Sequence, residues 1–71
     1  MSTPPEISSE QSKKAYLQAV FKATGVWQME VSRMSAKHCN EHVAKMWPLT
    51  FTEAQQEAIM LQFVILRLEA T

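Results

Sequence analysis

The sequence predicts an all-α protein, and three observations support that fold class. The 71 residues include one glycine and no aspartate, so turn-forming residues are scarce and loops must be short. Apolar residues recur over long stretches at the three- and four-residue intervals of a helix. Serines or a threonine, which cap helices, precede those stretches. We expect four short helices, at residues 9–24, 27–34, 36–47 and 53–69.

Composition limits the class of protein further. A chain of 71 residues makes one domain at most and buries only a small core. We expect a flexible tail over residues 1–8 and a single helical domain over residues 9–71. Seven basic and seven acidic residues give a net charge of zero, which is unlike a strongly basic, non-specific nucleic-acid binder.

The sequence carries neither a targeting segment nor a membrane span. Its start is polar and has no Lys or Arg before Lys13, unlike a signal peptide. The most apolar stretch, Ile59 to Leu68, has ten residues, whereas a membrane-spanning helix needs about 20. The single cysteine, Cys39, leaves no internal disulfide and suits a reducing compartment. We expect a cytoplasmic protein without a membrane partner.

Serine and glycine delimit the first helix. Either Ser8 or Ser9 can accept a hydrogen bond from an otherwise unpaired N–H at the helix start. Ser8 and Gln11 have the spacing of a capping box, in which two side chains and two N–H groups bond reciprocally. Gly25, the only glycine, follows the apolar stretch and fits a left-handed C-cap.

The segment after Gly25 is compatible with two kinds of element. Trp27, Met29 and Val31 alternate as in a strand, whereas Trp27, Val31 and Met34 recur as in a helix. A lone strand would have no second strand to pair with, because no other stretch of the chain predicts one. We therefore expect a short helix here.

Capping residues also precede the last two helices. Ser35 caps the third helix, which we expect to end at Trp47 because Pro48 disfavours the α conformation of the residue before it. Thr52 caps the fourth helix, and Gln55 stands at capping-box spacing from it.

The fourth helix is apolar on nearly every side in its second half. At roughly 100° per residue, its apolar residues point in almost all directions. Such a helix must be buried all round, and 71 residues are too few to enclose it. We expect a homodimer or homotetramer; the alternative is a central core helix within a monomer. The expected oligomer interface consists of Ile59, Met60, Phe63, Val64 and Leu66.

Two motifs point to chemistry but lack the rest of a site. His38 and His42 lie one helical turn apart with Glu41 beside them, in the H-x-x-E-H order of some zinc proteases. Those enzymes need a third protein ligand and a far larger scaffold. Cys39 and His38 are adjacent on a helix, so they do not face each other as nucleophile and base would. We expect no enzyme activity, no metal and no cofactor.

The segment 25–34 resembles the turn and recognition helix of phage-type helix-turn-helix regulators. The matching residues are Gly25 and Val26 in the turn, then Val31, Ser32, Arg33 and Met34. The order of elements that follows is similar to that in the small transcriptional activators of lambdoid phages. This resemblance implies a helix-turn-helix core and a DNA-binding transcriptional regulator of phage or mobile-element type.

The resemblance also implies which residues meet duplex DNA. Val26, Val31 and Met34 would face the core, and polar residues would face the groove. Glutamine suits adenine edges, arginine suits guanine or phosphate, and lysine suits phosphate. The DNA-binding residues expected on this basis are Gln28, Ser32, Arg33, Lys37 and Lys22.

A second class of function fits the same sequence: a small helical homo-oligomer that binds and inhibits or modulates a larger host protein. Trp and Met are enriched at protein interfaces, and flexible Met side chains adapt to different partners. The residues expected to form that partner-binding surface are Trp27, Met29, Met34 and Trp47.

Overall fold

A computed structural model describes residues 3–69, which form four α-helices and no strand. The helices are α1 (Glu10–Thr24), α2 (Met29–Ser32), α3 (Ala36–Thr50) and α4 (Glu53–Glu69). The all-α prediction is therefore confirmed. Residues 1–2 of the expected tail and residues 70–71 of the expected domain lie outside the described residues.

Ser9 begins α1, and its capping box differs from the predicted one. The Ser9 hydroxyl accepts a hydrogen bond from the Ser12 N–H at 3.2 Å, and the Ser12 hydroxyl accepts one from the Ser9 N–H at 2.8 Å. The predicted pairing of Ser8 with Gln11 is wrong, because the short Ser12 side chain reaches back to both preceding N–H groups, including that of Ser8 at 2.8 Å. Gly25 ends the helix as predicted, with φ at +78°.

The second helix is shorter than predicted and the third is longer. α2 is a single turn, because the N–H of Met34 already bonds to Val31 at 3.0 Å and Ser35 then caps α3. α3 continues through Pro48 to Thr50. Pro48 has no N–H and therefore removes one helical hydrogen bond in the last turn of α3. The carbonyl group that loses this bond belongs to Ala44, an exposed residue, and can bond to water instead.

Thr52 and Gln55 form the predicted capping box at the start of α4. The Thr52 N–H donates to Gln55 Oε1 at 3.0 Å, and the Gln55 N–H donates to Thr52 Oγ1 at 3.2 Å. The side-chain amide nitrogen of Gln56, Nε2, also donates to the Phe51 carbonyl at 3.0 Å. These bonds fix the corner between α3 and α4.

α1 packs most extensively against α4. Ala15, Ala19 and Ala23 share one side of α1, and small side chains let two helix axes approach closely. On the inner side of α3, Trp47 is 2% exposed and packs edge-to-face on Phe51 with ring centroids 5.4 Å apart. One hydrophobic core therefore joins the first, third and fourth helices.

The segment before α1 is anchored rather than a flexible tail where the structure describes it. Pro5 and Ile7 are buried. The Ile7 N–H donates to Asn40 Oδ1 on α3 at 2.8 Å. An apolar side chain in the core and a satisfied N–H together hold this segment against α3.

Within residues 3–69, no helix combines the length and apolarity needed to cross a bilayer.

Candidate interaction surface

Lys13 fixes the position of α2. Its ammonium donates to the carbonyl oxygens of Ser32 at 3.2 Å and Met34 at 2.9 Å, and it pairs with Glu10 at 3.0 Å. Carbonyl groups at the end of a helix lack helical partners, and a cation satisfies them. The sequence argument missed this role. A signal that could have indicated it is that Lys13 lies on the inner side of α1, where it faces the end of α2.

Tyr16 engages Gln28, the residue expected to read adenine. The buried Tyr16 hydroxyl donates to Gln28 Oε1 at 3.2 Å. Burial raises the pKa of Tyr16 well above its usual range, and the nearby Cys39 adds to the rise. Because the Gln28 side chain is half-buried and already accepts this bond, it is committed to the chain's own interior.

The other expected DNA-binding residues divide into two groups. Ser32 is half-buried, and its hydroxyl donates to the Met29 carbonyl at 2.6 Å. Arg33 and Lys37 are exposed on either side of the α2–α3 junction, whereas Lys22 is exposed in the last turn of α1. The structure thus brings Arg33 and Lys37 together at one junction and leaves the predicted recognition helix as one turn.

The turn residues of the expected helix-turn-helix also differ from expectation at one position. Val31 is buried and Met34 packs partly against the core, as the resemblance implied. Val26 is exposed instead of facing the core. The four-residue helix α2 begins only at Met29, so Val26 lies in the turn before it and is not on a helix side that packs against the core.

Exposed apolar side chains cluster where α1 meets α2. Phe21 and Trp27 are 50% and 44% exposed, and their rings pack edge-to-face with centroids 6.4 Å apart. Val26 and Met29, which flank Trp27 in the sequence, are also exposed. We call these four residues the aromatic surface. Side chains of this size seldom stay exposed together without a partner.

An open groove of about 460 Å³ borders the aromatic surface. Its lining residues are Glu10, Lys13, Lys14, Leu17, Gln18, Trp27 and Ser32. Leu17 is buried and provides an apolar floor, while Trp27 forms one rim. Lys13 is used by Glu10 and two carbonyls, whereas the Lys14 ammonium has no partner among the described residues. The groove therefore offers an apolar floor, an aromatic rim and one available cation.

Only part of the expected partner-binding set is accessible. Trp27 and Met29 are exposed side by side, and Met34 is half-buried against the core. Trp47 is a correction: it lies on the inner side of α3 and fills the core. Sequence alone cannot separate two tryptophans whose burial depends on which side of a helix meets the rest of the chain.

The expected oligomer interface also needs correction. Ile59 is fully buried and Phe63 nearly so, because this side of α4 meets the chain's own core. Met60 and Leu66 pack partly against that core, and only Val64 is exposed. The large apolar residues exposed on α4 are instead Leu61, Val64, Ile65 and Leu68.

The His-Cys-His segment lies along α3. His38 is exposed, His42 is half-buried, and Cys39 between them is completely buried. Burial raises the pKa of the Cys39 thiol above its usual value, and nearby Lys13 opposes that rise. Among residues 3–69, no three His, Cys, Asp or Glu side chains group as metal ligands would.

Comparisons with protein-family models, curated proteins and solved structures find no match for this chain. Within residues 3–69, the aromatic surface with its groove and the outer face of α4 are both apolar and accessible.

Proposed function

We propose that this protein is a small helical binding module that holds an apolar segment of a larger protein in the groove beside the aromatic surface. The observation that carries the proposal is the exposed Phe21–Trp27 pair at the rim of that groove. Tryptophan is enriched among the residues that dominate binding energy at protein interfaces. A concave apolar site with a few polar groups is also the usual form of a binding pocket.

Charge in the groove defines the chemistry of the bound segment. The Glu10–Lys13 pair is internally compensated, so Lys14 supplies the uncompensated charge. Burying the exposed apolar surface of Trp27 supplies most of the affinity, and a carboxylate beside Lys14 supplies direction. The segment should therefore carry a large apolar side chain and, nearby, an Asp or Glu.

Selection from a random peptide library on the immobilised protein tests this function. Enriched peptides should share an apolar anchor and an acidic residue. Trp27→Ala should weaken them by about 2 kcal/mol or more, roughly 30-fold. Lys14→Ala should weaken acidic peptides specifically, whereas Gln11→Ala, which is exposed on α1 outside the groove, should change nothing. Peptides that bind Trp27→Ala as tightly as the wild type would refute the proposal.

Duplex DNA binding is the second candidate function. It is favoured by the exposed Arg33 and Lys37 at the α2–α3 junction, in a segment that resembles a helix-turn-helix. Phosphate contacts give an affinity that falls steeply with salt. In this case Lys37→Ala should weaken binding to all duplexes and flatten the salt dependence, while Trp27→Ala should have a modest effect. That result, together with an empty peptide selection, would favour the regulator over the binding module.

A further inference from the structure

We propose that a second copy of this chain docks in parallel on the outer face of α4, giving a homodimer with two outward-facing grooves. The dimer is argued from α4 alone, and the use of its two grooves rests on the function proposed above. Leu61 and Leu68 are 61% and 70% exposed, with Val64 and Ile65 exposed between them. They lie on the side of α4 opposite the buried Ile59 and Phe63.

The spacing along this face is that of a coiled coil. The residues alternate at intervals of four and three, and we call them the outer seam: Ala54, Ala58, Leu61, Ile65 and Leu68. No charged residue interrupts the seam. An average interval of 3.5 residues keeps a seam facing a partner helix that has the same repeat. A second copy has this repeat by construction.

The residues at the seam positions favour a two-stranded parallel pair. Ile65 falls at the first apolar position of the heptad, and Leu61 and Leu68 fall at the second. A β-branched residue at the first position with leucine at the second favours parallel dimers. Ala58 and Ala54 occupy the remaining first and second positions, so this preference comes from the C-terminal half of α4.

Charges beside the seam are compatible with the same arrangement. In parallel register, Glu57 of one copy lies against Gln62 of the other, and Val64 lies against Glu69. No two like charges meet at these flanking positions. A second copy is therefore not opposed by charge repulsion at the flanks of the seam.

The outer seam is long enough for an extended helix-to-helix contact. The 17 residues of α4 rise about 25 Å, which equals nearly the whole 26 Å length of the molecule. The outer seam runs along this length.

The dimer places the two grooves on opposite flanks, facing away from the seam. α1 lies behind α4, on the side away from the outer seam. On α1 itself, Lys14 and Phe21 lie on the side of the helix opposite Ala15, Ala19 and Ala23. A partner with two suitable segments would bind both grooves, and roughly 100-fold or greater avidity is expected from such linkage.

Sedimentation equilibrium at micromolar concentration tests the dimer. Wild type should have twice the 8.1 kDa mass of one chain. Leu61→Glu should have the single mass with its helical circular dichroism retained, because the inner side of α4 is unchanged. Ala44→Glu introduces the same carboxylate on the exposed side of α3 and should remain dimeric. A monomeric wild type, or an unchanged mass for Leu61→Glu, would overturn the proposal.

Cross-linking tests the parallel register without relying on a destabilised variant. In a Cys39→Ser background, Leu68→Cys should form an intermolecular disulfide on mild oxidation, because a residue near the end of α4 lies beside its equivalent only in a parallel pair. A dimer that fails to cross-link would contradict the parallel arrangement. Peptide binding by monomeric Leu61→Glu, abolished by Trp27→Ala, would show that the groove functions even where dimerisation fails.

Discussion

α3 and α4 follow each other in the chain. Both bury apolar side chains on their inner sides, but their outer sides differ. α3 buries Cys39, Val43 and Trp47, and α4 buries Ile59 and Phe63. The outer side of α3 presents Lys37, His38, Glu41 and Lys45, with a single exposed large apolar residue, Leu49, in its last turn. The outer side of α4 presents Leu61, Val64, Ile65 and Leu68. The apolar outer side of α4 is the surface on which we propose that a second copy docks.

The largest expected effect separates the two sides of α4. Ile59→Ala removes a fully buried side chain and should lower the free energy of unfolding by about 2–5 kcal/mol. Leu68→Ala, made in the monomeric Leu61→Glu background, truncates a side chain that is 70% exposed and should change it by about 0.5 kcal/mol or less. Urea denaturation followed by circular dichroism measures both. Equal costs would mean that α4 is enclosed on both sides within one chain.

A smaller expected effect is that the inner side of α3, unlike that of α4, makes the free energy of unfolding depend on pH. Burial raises the pKa of Cys39 on α3, whereas the buried residues of α4 do not ionise. Above the unfolded thiol value of about 8.5, the unfolded state loses its proton while the folded state keeps it, so stability falls with rising pH. The expected slope is up to about 1.4 kcal/mol per pH unit.

Cys39→Ser is the control for this titration, because a serine hydroxyl does not ionise in this range. The free energy of unfolding of this variant should not change from roughly pH 8.5 to 10. At higher pH it should fall, because Tyr16 ionises in the unfolded chain while its raised pKa keeps it protonated in the folded chain. A wild type with the same flat profile would show that Cys39 ionises equally in the folded and unfolded chains.

The smallest expected effect distinguishes the two helix starts. Thr52 and Gln55 bond reciprocally at α4, whereas at α3 Ser35 accepts from the His38 N–H without a side-chain bond in return. Gln55→Ala should therefore cost about 0.5–1 kcal/mol, and His38→Ala should be nearly neutral. Thermal unfolding of the two variants measures the difference. A loss at His38 equal to that at Gln55 would contradict it.

Some features set by neighbours in sequence were predictable, although the Ser8–Gln11 capping box and the end of α3 before Pro48 were not. The Gly25 C-cap and the Thr52–Gln55 capping box depend on residues within one turn, and both match the prediction. α4 was predicted over its full length, but its apolar residues point in all directions. Only the position of α1 decides that Ile59 is buried while Leu61 is exposed.

The candidate site shows the same division. Trp27 was a candidate from its residue type, and its exposure beside Phe21 agrees with that choice. The groove depends on Lys13 bonding to carbonyls about 20 residues away in the chain. No local pattern encodes that contact. Lys14 can be identified as the available cation only once Lys13 is known to bond to Glu10 and those two carbonyls.

The packing of α1 against α4 has a consequence for how the chain folds. The first helix finds its main partner in the last helix, and residues 25–52 lie between them. Bringing the two together closes a long loop, whose entropic cost must be met before the packing energy is gained. A ribosome makes the first helix long before the last one. We therefore expect α1 to lack its main packing partner during synthesis until α4 has emerged.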